Sequence, residues 1–326
     1  MVVIIAFMHA ADLELYTVWG FRLDATPLQY ISSPAEAAAS IASAPVLLLS
    51  LIFIALSFSG IFLFKKGTER FPAEIQAPKI RAIASFFLAA LLVLPLRGGW
   101  QQIPINQSSV YFSEIAYANH SGINVPWNVM YSLLKNDHET ENPYQFLPAA
   151  EAESRVAALH PKLPPTGLLV TEFTKPNVLL IILESYTANY VGSITGYNGV
   201  TPNLDSIARE GLLFTNIYSS GDRSEKGMAA ILSGFPAQPT TSVMKSPRKT
   251  EKLPYLSKEF AKSGYATSYY YGGELGFANL KSYLLNGSFH KFTDKSDFDP
   301  KDYNSKWGVH DHVLLDRVLT ELNQEK

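Results

Sequence analysis

The stretch KPNVLLIILESYTANYVG, residues 175–192, decides how the fold is read. Six consecutive apolar residues, Val178 to Leu183, run directly into a carboxylate, Glu184. A strand apolar on both faces is the mark of a parallel sheet covered on both sides. A charge inside such a sheet is costly unless it is paired. Glu184 therefore either stands at the exposed end of the strand or meets a cation there.

Downstream of this run, strand and helix patterns alternate. TPNLDSIAREG predicts a short helix, with Thr201 as cap, Pro202 at the first helical position and Gly211 at the end. LLFTNIY, 212–218, reads as the next strand, and EKGMAAILSG, 225–234, as a helix closed by Gly234. PYLSKEFAKSG is another helix, YATSYYY, 265–271, another strand, and FANLKSYLLNG and HDHVLLDRVLTELNQ are two more helices. This alternation indicates an α/β domain over residues 171–326, a mainly parallel sheet with flanking helices.

Upstream, the pattern is that of a membrane protein. The chain of 326 residues is 47% hydrophobic and only 17% charged, against ~25% charged in ordinary soluble domains. Ser40 to Phe64 carries no charge, and residues 42–64 read as a transmembrane helix rather than a buried core helix. A second apolar run, 82–96, lies between Arg81 and Arg97, whose stems can reach the interfaces. The loop 65–81 between them holds Lys65, Lys66, Arg70, Lys79 and Arg81, which makes it cytoplasmic. The loop 9–41 and everything after Arg97 then lie outside the cell. Residues 1–8 read as the last turns of a helix whose beginning is missing. Residues 98–135, rich in Trp and Tyr, suit either the membrane interface or packing on the soluble domain. The Pro-rich stretch that follows, through 170, reads as a linker with one short helix near Glu151 to Leu159.

The net charge of -2 and the lack of a basic run exclude a nucleic-acid partner, and zero cysteines exclude thiolate chemistry. In open α/β sheets, ligands bind at the carboxyl ends of strands. Glu184, Ser224 and the Gly272-Gly273 pair fall at such ends. Ser224 opens a helix, where backbone N–H groups and the dipole favour an anion, and Arg223 beside it can fork onto phosphate oxygens. It is either a helix cap or a nucleophile. As a nucleophile it needs activation, and a divalent cation held partly by Glu184 could supply that. Asp222 either pairs with Arg223 or favours the turn. Phe277 and Trp307 either line a pocket or pack.

PNVLLIILESY, TPNLDSIAREGLLFTNIYSSG and GDRSEKGMAAILSGFP together resemble the lipoteichoic acid synthase (phosphoglycerol transferase) branch of the alkaline phosphatase–sulfatase superfamily. The resemblance covers residues 175 to about 320. It implies an alkaline phosphatase/sulfatase-like fold and a multi-pass enzyme of the bacterial inner membrane with its catalytic domain extracytoplasmic. It also implies a manganese or magnesium ion held by Glu184 and Ser224, and a phospho-serine intermediate on Ser224. The donor would be a phospholipid giving phosphoglycerol or phosphoethanolamine, and the acceptor an envelope glycan or lipid. Asn279 falls where the family contacts its phospho-substrate.

Three departures accompany the resemblance. The family's late Asp-His metal pair has no counterpart before Lys326. The nearby His310-Asp311-His312 reads as a surface feature at a helix start. Ala278 and Leu280 replace the Trp and Arg that flank the Asn in glycerolphosphate-handling members. The matched part is also only about half a catalytic domain, so the chain reads as incomplete at both ends, with a metal site mostly open. Two alternatives follow: an extracytoplasmic phosphodiesterase or sulfatase-like hydrolase, or an inactive truncated homologue. A formylglycine sulfatase would need Pro and Arg two and four residues after Ser224, where Lys226 and Met228 stand.

Overall fold

The computed structural model describes residues 1–29, 44–69, 78–135, 145–160, 175–239 and 241–324. The expectations for 30–43, for 70–77 of the basic loop, and for the Pro-rich linker at 136–144 and 161–174 lie outside these residues. The chain divides into two compact units, Met1–Ser132 with Asn216–Lys326, and Leu133–Thr215.

In the first unit the N-terminal segment is an 18-residue helix, Val2–Trp19, which takes in 9–19 of the expected loop and is ended by Gly20 in the left-handed conformation at φ 74°. The helix Val46–Thr68 is shifted four residues toward the C-terminus from the expected 42–64, and Pro78–Arg97 begins four residues before and ends one after the expected 82–96. Lys65, Lys66 and Arg97 sit in the last turns, where cations suit the negative end of the helix dipole. Val2–Trp19 and Val46–Thr68 are long and apolar enough to cross a membrane, and Ala82–Arg97 is a shorter apolar helix. The first two pack together. Phe7 and Phe53 meet edge to face at 6.2 Å, and a Cβ on Gly60 would lie 2.6 Å from Val2 Cγ1. A missing side chain is what lets apolar helices approach so closely.

Residues 98–135 form a folded collar with a short 3-10 turn, Gln107–Val110, and helices Ala116–Ser121 and Val125–Lys135. Leu23, Val125 and Val129 make its small core, with Met8 and Leu15 against it. Buried Asp12 accepts from Leu23 N at 2.7 Å and pairs with Arg22 at 3.0 Å. Asn128 Nδ2 donates to Leu23 O, and Ala25 N donates to Ser132 Oγ. The collar also docks on the later chain. His120 Nε2 meets Glu251 Oε1 at 3.1 Å, and the Arg248 guanidinium lies 4.0 Å above the Phe21 ring. Packing on the later chain is therefore realised for this segment, while Trp100, Phe112 and Tyr117 stay exposed.

The sheet lies in the same unit. Ser268–Tyr270 pairs in parallel with Lys291–Thr293, in the register Ser268↔Lys291 to Tyr270↔Thr293. The helix Leu280–Asn286 lies in the crossover between the two strands. The first strand falls within the expected 265–271, and the second, KFT, was not expected. Glu321 of the helix Asp311–Gln324 locks the pair, accepting from Tyr270 Oη at 2.7 Å, Lys291 Nζ at 2.6 Å and Arg317 Nε at 2.5 Å. Beneath lies a core built around Met244, Tyr255, Tyr283 and Leu284. Buried tyrosines need partners for their hydroxyls. Tyr255 donates to Thr250 O at 2.8 Å, and Tyr283 shares a 2.6 Å bond with Ser233 Oγ. Burial pushes the Tyr283 hydroxyl up to about 12.

Two of the three expected strands do not form. Among the described residues, 178–183 and 212–218 belong to no ladder. Val178 to Leu183 are each between 36% and 66% exposed, so the run lacks the cover a parallel strand requires. The helices fare better: Pro202–Glu210, Ser224–Ser233, Leu256–Lys262, Leu280–Asn286 and Asp311–Gln324 all stand where capping and periodicity put them.

In the unit Leu133–Thr215, the helix Ala149–Leu159 is described, with an exposed Glu151–Arg155 pair. Thr201 does not cap its helix through its side chain. Its hydroxyl instead accepts from Gly192 N and donates to Asp205 Oδ2. Asp205 also accepts from Ser193 N and Ser193 Oγ, both at 2.7 Å, which holds its carboxyl below the usual range.

Candidate active site

Ser224 is the first residue of its helix, and Arg223, extended at φ −136°, occupies the cap position with no side-chain cap bond. The cap alternative for Ser224 therefore does not hold. Its half-buried hydroxyl sits at the positive end of a ten-residue helix, next to an exposed guanidinium. The turn before it is tight, because a Cβ on Gly221 would lie 2.8 Å from Lys226 Cβ and 2.9 Å from Ala237 Cβ.

Lys226 is the residue sequence reasoning missed. It is buried, and its ammonium donates to Asp222 Oδ1 at 2.8 Å and Pro239 O at 3.0 Å. Asp222 thus pairs with Lys226, and that bond holds its carboxyl below the usual range. The signal was present in the i,i+4 spacing of an acid and a lysine. The arrangement fixes the turn that precedes Ser224.

A second group of predicted residues also comes together. Phe277 and Trp307 meet edge to face at 6.2 Å, both partly exposed. Ala278 and Asn279 are both left-handed without being glycine, at φ 49° and 62°. Each such residue costs about 1–3 kcal/mol and persists only where its surroundings enforce it. Asn279 is buried, donates to Lys245 O at 3.2 Å, and keeps a buried Oδ1 without a hydrogen-bond partner. Lys245 also extends its ammonium to Glu225 Oε1 at 3.6 Å. One residue therefore links the Ser224 helix start to the Asn279 turn.

Glu184 is placed differently. It is an exposed turn residue beside Ser185, itself left-handed at φ 56°, and it belongs to the unit Leu133–Thr215 rather than that of Ser224. The expected pairing of Glu184 with Ser224 through a cation spans the two units and stays an expectation. His310 and His312 are exposed, with rings 6.2 Å apart. Among the described residues, no group of three or more His, Asp or Glu could hold a metal ion. Manganese or magnesium would need several oxygen donors around it, and the residues present do not fit one. The Gly272-Gly273 pair serves packing, since a Cβ on Gly272 would lie 2.6 Å from Val309 O.

A parallel strand pair joined through a helix, with a serine opening a further helix, is an α/β arrangement. The sequence model of the Sulfatase family matches residues 176–326, so this α/β segment is similar to a sulfatase-type domain. It is 32% identical over 96 residues to the delta 4,5-hexuronate-2-O-sulfatase of Bacteroides thetaiotaomicron, covering 28% of this chain and 20% of that protein. It is 30% identical over 152 residues to phosphoglycerol transferase I of Xanthomonas campestris pv. campestris, covering 44% of this chain and 22% of that protein. A crystal structure of an alkaline phosphatase superfamily protein from Vibrio parahaemolyticus aligns with 31% identity and a TM-score of 0.39. That alignment covers 42% of this chain and 33% of that one. The matches thus span about a fifth of the length of these curated relatives.

Proposed function

We propose that this chain is part of a membrane-anchored phosphotransferase of the bacterial inner membrane, working on its outer face. The observation that carries the reading is Ser224 at the first position of a helix beside Arg223, inside the sulfatase-like segment. The phosphorus of a phospholipid headgroup lies against the helix N-terminus, where backbone N–H groups and the Arg223 guanidinium take up its negative charge. The Ser224 oxygen bonds to phosphorus, the bond to the diacylglycerol oxygen breaks, and that oxygen takes up a proton. The hydroxyl of an envelope glycan or lipid then bonds to the same phosphorus and releases Ser224 with its proton. Asn279, Phe277 and Trp307 form the substrate side of this reading. The apolar helices hold the domain at the surface that supplies the lipid.

A hydrolase reading is favoured by the sulfatase named among the relatives, and differs only in water replacing the acceptor alcohol. Incubation of the complete protein in detergent with headgroup-labelled phospholipid tests both. Label on the wild-type protein that is lost in Ser224→Ala supports the phospho-serine, and full turnover by Ser224→Ala sinks it. Label passing to an added alcohol marks a transferase, and label appearing only in water-soluble phosphate ester marks a hydrolase.

A further inference from the structure

The turn Gly276 to Asn279 is held from outside its own domain segment. Asn106 of the collar donates through Nδ2 to Gly276 O at 2.9 Å, at one end of the turn. Ser108, fully buried, donates to Ser282 Oγ at 2.8 Å, and Ser282 in turn donates to Asn279 O at 2.8 Å, at the other end. Ser282 N donates back to Ser108 Oγ at 3.3 Å. These partners lie 170 and 174 residues apart in sequence, so the contacts are tertiary.

Between the two holds lie the two consecutive left-handed, non-glycine residues, Ala278 and Asn279. Such strain relaxes unless the surroundings over-determine it. The buried Asn279 Oδ1 lacks a hydrogen-bond partner, so the grip is kept at the expense of an unsatisfied acceptor. A turn maintained against both costs is one whose geometry is being imposed.

We infer that Asn106 and Ser108 are positioning residues for the reaction: the membrane-proximal collar imposes the strained turn that presents Asn279 to the phospholipid headgroup. The inference rests on the reading of Asn279 as a substrate contact. Neither collar residue touches substrate. They act by clamping the carbonyls at the two ends of the turn, so the substrate side forms only when the collar is docked on the domain.

The test uses the complete protein in detergent micelles with a phospholipid donor, and two independent readouts. Amide hydrogen exchange across residues 277–281 should accelerate in Asn106→Ala, and remain at the wild-type rate in Ser132→Ala, which removes a collar bond remote from the turn. In the same pair, kcat/KM should fall about tenfold to a hundredfold in Asn106→Ala, the scale of a small misplacement near reacting groups, and stay unchanged in Ser132→Ala. Asn279→Gly keeps the left-handed backbone while deleting the amide. Added to that variant, Asn106→Ala should cost less than about twofold more, because residues acting through one another are not additive. Ser108→Ala, which cuts the other hold, carries the same expectations and serves where Asn106→Ala does not fold. Unchanged exchange in the turn overturns the inference, and so does an additive cycle. Silent Ser224→Ala and Asn279→Gly variants would instead overturn the proposed chemistry, with accelerated exchange still supporting the grip.

Discussion

Two segments of this protein invite comparison. VLLIIL, 178–183, is the most strand-like run after residue 170 by composition, yet its side chains are exposed and it joins no ladder among the described residues. SYY, 268–270, is more polar, yet it pairs in parallel and is clamped by Glu321. The difference teaches that apolarity alone does not make a strand. The paired segment has a crossover helix ending just before its partner, and a charged clamp that touches both strands. The apolar run has neither within the described residues.

The largest effect expected from sharpening this contrast is at the core under the paired strands. Leu284→Ala, at a fully buried position, should cost about 3–4 kcal/mol in chemical unfolding, while Leu180→Ala, 52% exposed, should cost less than about 0.5 kcal/mol. Equal losses would mean that 178–183 is buried in the working protein and would break the comparison. Next comes Gly308→Ala. Gly308 sits at φ 145°, where a Cβ would collide with Gly272 O beside the paired strands. A loss of about 2–3 kcal/mol is expected from strain and displacement together, and an unchanged melting temperature would contradict that close approach.

The smallest effect concerns the clamp itself. Hydrogen bonds from Lys291, then Arg317 and Tyr270, draw the Glu321 carboxyl from its ordinary value near 4.5 down to about 2. Its folded-state pKa is depressed, so its contribution is present in full above the ordinary glutamate range. It is lost as pH falls toward about 2. Glu321→Gln should cost about 1–2 kcal/mol at neutral pH and flatten the stability profile between those limits. A variant that keeps the wild-type acid profile would show that Glu321 is not the group responsible.

The same physics explains what could be read from the chain beforehand. The helices Pro202–Glu210, Ser224–Ser233 and Asp311–Gln324 were legible because their signals are local, carried by proline, glycine and periodicity within one segment. The transmembrane candidate 42–64 was legible for the same reason. The strand 291–293 was not, since KFT carries no pattern of its own and becomes a strand only through a partner some twenty residues earlier. Likewise Ser224, Phe277, Asn279 and Trp307 stood out from motif and position, while Lys226 and Asn106 did not. Lys226 finds one of its partners, Pro239 O, thirteen residues on, and Asn106 acts on a carbonyl 170 residues away. Glu184 was conspicuous, but a single carboxylate says nothing about the other donors a cation would need.

The contact between Gly60 and Val2 has a mechanical consequence. Sliding one helix by a full turn would bring Leu56 or Phe64 beneath Val2 in place of the bare glycine. Either side chain would act as a stop, so the pair has one setting, like a ratchet with a single notch.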